Sequence, residues 1–330
     1  MFHEAQCPQA HGHCVRLPVL ILKKDRIVQP VLRQTKHHVG YVYSRRHYLS
    51  FSNFIFVILR CGLAIHNYES ANKKLPAGRS PSGLSTHAQL LPYFEQNMVY
   101  NLVNFEVAWD HATNTSARAA TVPTFTCPSD PVSALPAGWA GTNYRSNQGS
   151  GILNGLAPTV SSDPNFGYPS PNGPFVPNTY LRFADVSDGL SNTAALSEHG
   201  KGDFSNAIST FTDTFWPQTN PTTPDEAVRD CKAINPLDLQ YQRNSNVGAP
   251  WLQGSHTTSN YFHVAPPQSR SCMFPPGRIS TTAKSYHTGG VQVARCDGSV
   301  VFVPQSIDLK VWRLLGSRAD GEVSSTGALD

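Results

Sequence analysis

The feature that most constrains this chain lies near its C-terminus: Val291-Gln292-Val293-Ala294-Arg295-Cys296, then Asp297-Gly298, then Ser299-Val300-Val301-Phe302-Val303. Two apolar runs of strand length flank a pair of residues that tolerates positive φ. This pattern predicts an antiparallel hairpin closed by a type I′ turn. A short helix is predicted next, over 308–315, carrying Val311, Trp312 and Leu315, with Gly316 as its C-terminal stop.

Upstream, Leu59, Leu63 and His66 or Asn67 keep helical spacing, and Lys73, Lys74 and Pro76 close the segment, so a helix ends there. A second helix is predicted over 86–103, with Leu90, Leu91, Phe94, Met98 and Leu102 on one face and Pro92 near its start. The stretch 104–185 reads as loop, with turns at Pro128-Ser129-Asp130-Pro131 and Asn172-Gly173-Pro174. Short strands are expected over 142–147 and 194–197. The Pro-rich stretch 205–278 reads as an elaborated surface insertion. Gly and Pro supply 50 of 330 residues, which favours many turns and short strands over helical bundles.

Charge is unevenly placed. The net charge is +4, but residues 1–60 carry nine Lys/Arg against two Asp/Glu, leaving the rest of the chain acidic. The basic residues of this head are scattered among apolar ones and form no stripe of the kind that tracks nucleic acid. Residues 1–57 therefore read as an atypical leader, disordered or misread, preceding a domain over 58–330. No secretory peptide is visible at Met1, and the apolar run 54–65 is interrupted by Arg60.

The seven cysteines include no C-x-x-C pair, which argues against zinc-ribbon and thioredoxin chemistry. Cys231 and Cys272 read equally as a disulfide staple or as separate buried thiols. No G-x-S-x-G, P-loop or Rossmann glycine pattern is present; Gly149-Ser150-Gly151 reads as a flexible turn. His287 and Asp297 could face each other as base and orienter, though each has a simpler local hydrogen-bonding role. Asp185, Asp188 and Glu198, with Ser191 and Asn192 around Gly189, offer oxygen ligands of the type calcium takes, without the spacing of an EF-hand loop. His199, His256, His263 and His287 occur singly, unlike zinc ligands. Tyr168, Phe175, Tyr180, Trp216, Tyr241, Trp251, Tyr261 and Phe262 could line a groove, or pack long loops onto a sheet, which is the favoured reading.

Four segments together resemble a bacterial family of prepilin-type proteins, common in planctomycete-like genomes, whose domain has no assigned function. They are Gly62-Leu63-Ala64-Ile65-His66-Asn67-Tyr68-Glu69 with Leu75-Pro76-Ala77-Gly78; Leu90-Leu91-Pro92-Tyr93-Phe94-Glu95-Gln96 with Phe125-Thr126-Cys127-Pro128-Ser129-Asp130; Phe183-Ala184-Asp185-Val186-Ser187-Asp188-Gly189-Leu190-Ser191-Asn192-Thr193 with Glu198; and His287, nine residues, then Asp297-Gly298. The last falls in a C-terminal region of about 280–325. The resemblance implies an α+β, type IV pilin-like or pseudopilin fold, with an N-terminal helix on an antiparallel sheet. It also implies an envelope or extracellular location and pilin-like or secretion-system partners, or self-association. The family's opening signature, a basic pair and Gly-Phe-Thr-Leu-Ile-Glu before roughly 20 apolar residues, is not found; Arg45-Arg46-His47-Tyr48 is at best its echo.

On this reading the protein is a non-enzymatic structural or interaction component. It is expected to need no cofactor, with calcium the weak alternative, and to bind no nucleic acid. His287, Asp297, Gly298, Asp185, Asp188, Gly189, Ser191, Asn192 and Glu198 are motif positions expected to act structurally. An exported solute- or glycan-binding module is the alternative, and a hydrolase the third reading.

Overall fold

The structure is a computed structural model that describes residues 45–322, with side chains from Val57 onward. The expected leader 1–57 lies outside the described residues up to 44. From Arg45 a continuous helix, α1 (Arg45–Asn72), runs through residue 57. The helix thus crosses the position at which the composition shifts. Lys73, at φ 57°, stops the helix in the left-handed region.

The chain is α+β with two mixed sheets. Four short helices and one longer one follow α1: α2 (Thr86–Leu90), α3 (Asn97–Tyr100), α4 (Thr115–Ala119), α5 (Pro224–Ala233) and α6 (Leu309–Gly316). The strands are β1 (Tyr144–Asn147), β2 (Ala194–Glu198), β3 (Thr214–Phe215), β4 (Gln242–Asn244), β5 (Asn260–Tyr261), β6 (Ser271–Phe274), β7 (Arg278–Ser280), β8 (Gly290–Arg295) and β9 (Val300–Pro304). One sheet has the order β5-β1-β2-β8-β9, with only β1 and β5 parallel; the other is β4-β3-β6-β7, with only β3 and β6 parallel.

The larger sheet is covered on both faces, and the period-2 alternation of its strands assigns the sides. Ala294 of β8 and Leu196 of β2 pack against Ile58, Cys61, Ala64 and Ile65 of α1. Val291 and Val293 of β8, with Val303 of β9, pack against Trp312 and Leu315 of α6. Each of the large apolar side chains so buried contributes about 1.5–3 kcal/mol.

The hairpin forms, with Ala294 opposite Val300 and Val291 opposite Val303. Its turn is not type I′. Gly298 N donates to Arg295 O and Arg295 N to Ser299 O, and only Gly298, at φ +86°, is left-handed. Three residues, 296–298, make a tight turn completed by a glycine bulge. The reason lies in its neighbours: Cys296 N donates to Thr193 O and Asp297 N to Leu190 O, so the turn is moulded onto the segment before β2.

Four other expectations are corrected. On α1 the buried face is offset from the anticipated stripe: Leu59 and Leu63 are exposed, and Cys61 and Ala64 face the sheet. A Cβ added to Gly62 would lie 3.0 Å from Gly298 Cα, so the helix approaches the turn too closely for large side chains on that side. The helix expected over 86–103 is broken. α2 passes into a 3-10 turn over Leu91–Phe94, Glu95 is left-handed at φ 62°, and α3 follows, leaving Met98 85% exposed. Pro92 supplies no N–H for continuation. Gly316 is the last residue of α6, not a left-handed cap. An added Cβ there would lie 2.4 Å from His263 Cβ, so its role is close packing. Finally, 205–278 is no surface insertion. It holds β3, β4, β6 and α5 around Phe215, Val228, Phe262 and Phe274, with Cys231 and Cys272 joined by a disulfide at a Cα–Cα distance of 5.9 Å.

Among the described residues no helix is long and apolar enough to cross a membrane.

Candidate functional site

The loop after the 3-10 turn Pro123–Phe125 returns to the sheet at Cys127-Pro128-Ser129-Asp130, closed by a bond from Asp130 N to Cys127 O of 3.1 Å. It is held by Asn143, whose Oδ1 accepts from Cys127 N at 2.9 Å and from Lys201 Nζ at 3.1 Å. The Asn143 Nδ2 group donates to Asp130 Oδ2 and to His199 O. Asp130 Oδ2 also accepts from Lys201 N at 2.8 Å and pairs with Lys201 Nζ at 3.2 Å, with both side chains nearly inaccessible. Such a pair is held by geometry and by the bonds that fill its remaining valences, since desolvating both ions offsets most of their attraction.

Beside this knot lies a small recess lined by Cys127, Glu198, His199, Lys284, Ser285 and Tyr286, among others. Glu198 ends β2, and its carbonyl accepts from Lys284 N at 2.8 Å. Burial pushes its carboxyl well above the usual carboxylate range, against the pull of the Ser285 hydroxyl and the Gln292 backbone. His199 is buried too, held neutral by burial and by the Arg145 and Lys284 charges, while its Nδ1 donates to Gly200 O at 2.7 Å. His287 reaches the recess through Cys127, its Nε2 3.6 Å from Cys127 Sγ.

Three of the four sequence segments therefore meet here, through Cys127 and Asp130, Glu198, and His287. The chemistry they assemble is that of neutral groups. Burial pushes the Cys127 thiol up to about 11, with Glu198 and Asp130 adding to the effect and Ser129 opposing it. Burial also lowers His287. The pair is thiol and imidazole at neutral pH, whereas a nucleophilic cysteine needs its thiolate favoured by a cation or helix end.

The remaining motif positions lie elsewhere. Asp297 is exposed in the hairpin turn, where its Oδ1 accepts from Ser299 N at 2.9 Å and Ser299 Oγ at 2.6 Å. All of β8 separates it from His287, so the two do not form a base–orienter pair. Gly298 packs on α1, and a Cβ there would sit 3.6 Å from His66.

The candidate calcium ligands are also dispersed. Asp185 accepts from Arg182 N and pairs with the Arg182 guanidinium at 3.0 Å on the surface; these contacts hold its carboxyl below the usual range. The buried Asp188 carboxylate accepts from Asp320 N at 2.8 Å and Gly321 N at 3.1 Å, anchoring the chain after α6. Gly189 turns at φ +100°, Asn192 Nδ2 donates to Asp188 O, Ser191 is exposed, and Glu198 is in the recess. Among the described residues no group of three His, Cys, Asp or Glu side chains is disposed to hold a metal ion.

The histidines named as zinc candidates each have local partners. His256 Nδ1 meets Thr281 Oγ1 at 3.2 Å, and His263 bridges Trp312 O and Tyr261 Oη. Of the eight aromatics that could have lined a groove, Phe175, Trp251, Tyr261 and Phe262 are core; Tyr168 and Trp216 lie under the Arg278 and Arg243 guanidinium groups. Sequence reasoning missed Asn143, Lys201 and Lys284. The available signal was a polar side chain beside a short strand, which is too common to single them out.

A family profile described as a protein of unknown function (DUF1559) matches residues 60–310. No curated protein and no solved structure matches the chain. With that match spanning α1 to the start of α6, the chain belongs to the DUF1559 family of proteins of unknown function.

Proposed function

We propose that this protein is a non-enzymatic, pilin-like structural or interaction subunit of a bacterial cell-envelope or secretion assembly, partnered by related subunits or by copies of itself. The observation that carries this reading is the packing of Ile58, Cys61, Ala64 and Ile65 of α1 on the antiparallel β2-β8-β9 face, a helix-on-sheet layer of the kind expected of a pseudopilin. Leu59 and Leu63 remain exposed on the outer side of that helix, as a helix-to-helix assembly surface requires. The Cys127–His287 recess supports the non-catalytic part. Its thiol is held protonated and its carboxyl neutral, and its charged pair is consumed in fixing a loop. Neither calcium nor another cofactor has a part in this reading.

The test uses the full chain. Leu63→Cys cross-linking and light scattering are expected to reveal self-association or capture of a sibling subunit, and Leu59→Glu/Leu63→Glu to abolish it without loss of folding. Turnover of an ester, peptide or glycoside panel that disappears in Cys127→Ser or His287→Gln would overturn the proposal.

A further inference from the structure

A second depression, also lined by Lys284, lies between the segments leading into β3 and β6 and the loop after α5. It is an open cleft of about 300 Å³, near the lower end for small-molecule sites. Its walls include Phe211, Phe215, Pro236 and Leu237, and Arg270 and Lys284 line it as well. Leu237 is 78% exposed at the rim and Phe211 is also exposed, whereas Phe215 is buried in the floor. The cations sit over the rings: Arg270 is 5.7 Å from the Phe215 centroid and Lys284 is 5.5 Å from that of Phe211.

Neither side chain is held in an ion pair among the described residues. The ion pairs among the described residues belong to Arg182, Lys201, Arg229, Lys310 and Arg313. Arg270 spends Nη1 on the carbonyls of Cys231 and Ile234 at the end of α5, and Lys284 donates to Phe211 O. Asp213, whose charge acts on Lys284, accepts through Oδ2 from Thr210 N at 2.6 Å and Gln242 Nε2 at 2.8 Å. Lys284 is 1% exposed. Keeping a proton on an amine buried there is costly, and an anion delivered beside it relieves that cost.

We propose that this cleft binds a small free carboxylate with an apolar or aromatic body, the carboxylate lying between Arg270 and Lys284 and the body against Phe211, Phe215 and Leu237. This assignment is independent of the assembly role proposed above. The protonation of Lys284 supports it. Burial and the Arg145 charge bring its amine down to about 7, with Asp213 opposing and Arg270 adding. A bound anion reverses that shift, so binding near neutral pH takes up a proton from solution.

The experiment is calorimetric titration of the full chain with 3-phenylpropionate and with its uncharged amide, in two buffers of different ionisation enthalpy. The acid is expected to bind at least roughly tenfold more tightly than the amide, because charge-assisted bonds are lost with the amide. It is also expected to take up protons at pH 7.5, a condition set about half a unit above the amine's own value. Lys284→Met should remove the acid's advantage and the proton uptake. Leu237→Glu, at an exposed position that folding does not require, should abolish binding of the acid. Equal affinity for acid and amide, unchanged binding by both variants, or no saturation up to about 10 mM would overturn the assignment.

Discussion

The buried imidazoles make acid the most informative perturbation of this fold. His87 and His256 are pulled down to about 4 and His263 to about 3, each chiefly by burial, and His199 shifts in the same direction. Unfolded histidine titrates near 6.5. Between the two values the unfolded chain holds a proton that the folded chain lacks, so each group's stabilising contribution is present above about pH 6.5 and is lost as pH falls. Glu198 has the opposite sign: its raised folded value makes the native state the better proton binder above about pH 4.5. Among these five fully buried groups, four protons against one leave a net uptake of about three on unfolding around pH 5, each worth about 1.36 kcal/mol per pH unit; the half-buried His287, lowered, and Asp213, raised, have opposite signs and offset each other.

Allowing for incomplete protonation of the unfolded imidazoles near pH 6, stability should fall by about 3 kcal/mol between pH 6 and pH 5. That is a large part of the roughly 5–15 kcal/mol typical of a folded domain. Urea unfolding followed by tryptophan fluorescence at several pH values measures this directly. A midpoint that is flat or rises over that interval would refute the reasoning, as would native-state NMR showing these four rings titrating near 6.5.

Other perturbations test the packing. Asp130→Asn leaves the Lys201 ammonium buried without its counterion and should cost about 3–5 kcal/mol in urea unfolding. The double change Asp130→Leu/Lys201→Met removes the unpaired charge but strands Lys201 N and the Asn143 amide, and should recover only part of that. Gly62→Ala improves helix propensity by about 1 kcal/mol, yet sets a methyl 3.0 Å from Gly298 Cα. Net destabilisation of about 1 kcal/mol or more is expected, and a gain in thermal midpoint would show that the turn can yield. Paired Cys231→Ser and Cys272→Ser changes reopen a loop with a sequence separation of 41. Chain entropy puts the loss at about 3–4 kcal/mol, read as a lower urea midpoint matched by the reduced wild-type chain.

What the sequence made legible was local. The hairpin, the helix capped by Asp308 and the break at Lys73 rest on turn chemistry and period, which act within a few residues. The second sheet was opaque because its strands are too short to show a period: β3 is only Thr214–Phe215, and its partners lie some thirty to sixty residues away. The recess was half legible. Cys127, Asp130, Glu198 and His287 stood out by motif, but the residues that tie them together, Asn143, Lys201 and Lys284, carry no local signature. The face of α1 was misjudged because Gly62 and Gly298 set how closely helix and turn approach, and that distance appears only once the two are in contact.

The nine-residue interval between His287 and Asp297-Gly298 can then be read as a length instead of a chemical pairing. Six of those residues build β8, and at about 3.3 Å per residue they hold the two ends roughly 20 Å apart. One end closes on Cys127 and the loop fixed by Asp130; the other sets Gly298 against Gly62 of α1. The strand thus fastens two separate parts of the chain to one sheet. Two fastenings at that distance should act independently. His287→Gln and Gly298→Ala are each expected to destabilise, the latter by about 1–2 kcal/mol for its left-handed backbone. In the double variant the losses should add to within about 0.5 kcal/mol. A coupling energy well above about 1 kcal/mol would mean that the two ends sense each other through the strand, and the reading of β8 as a rigid spacer would have to be given up.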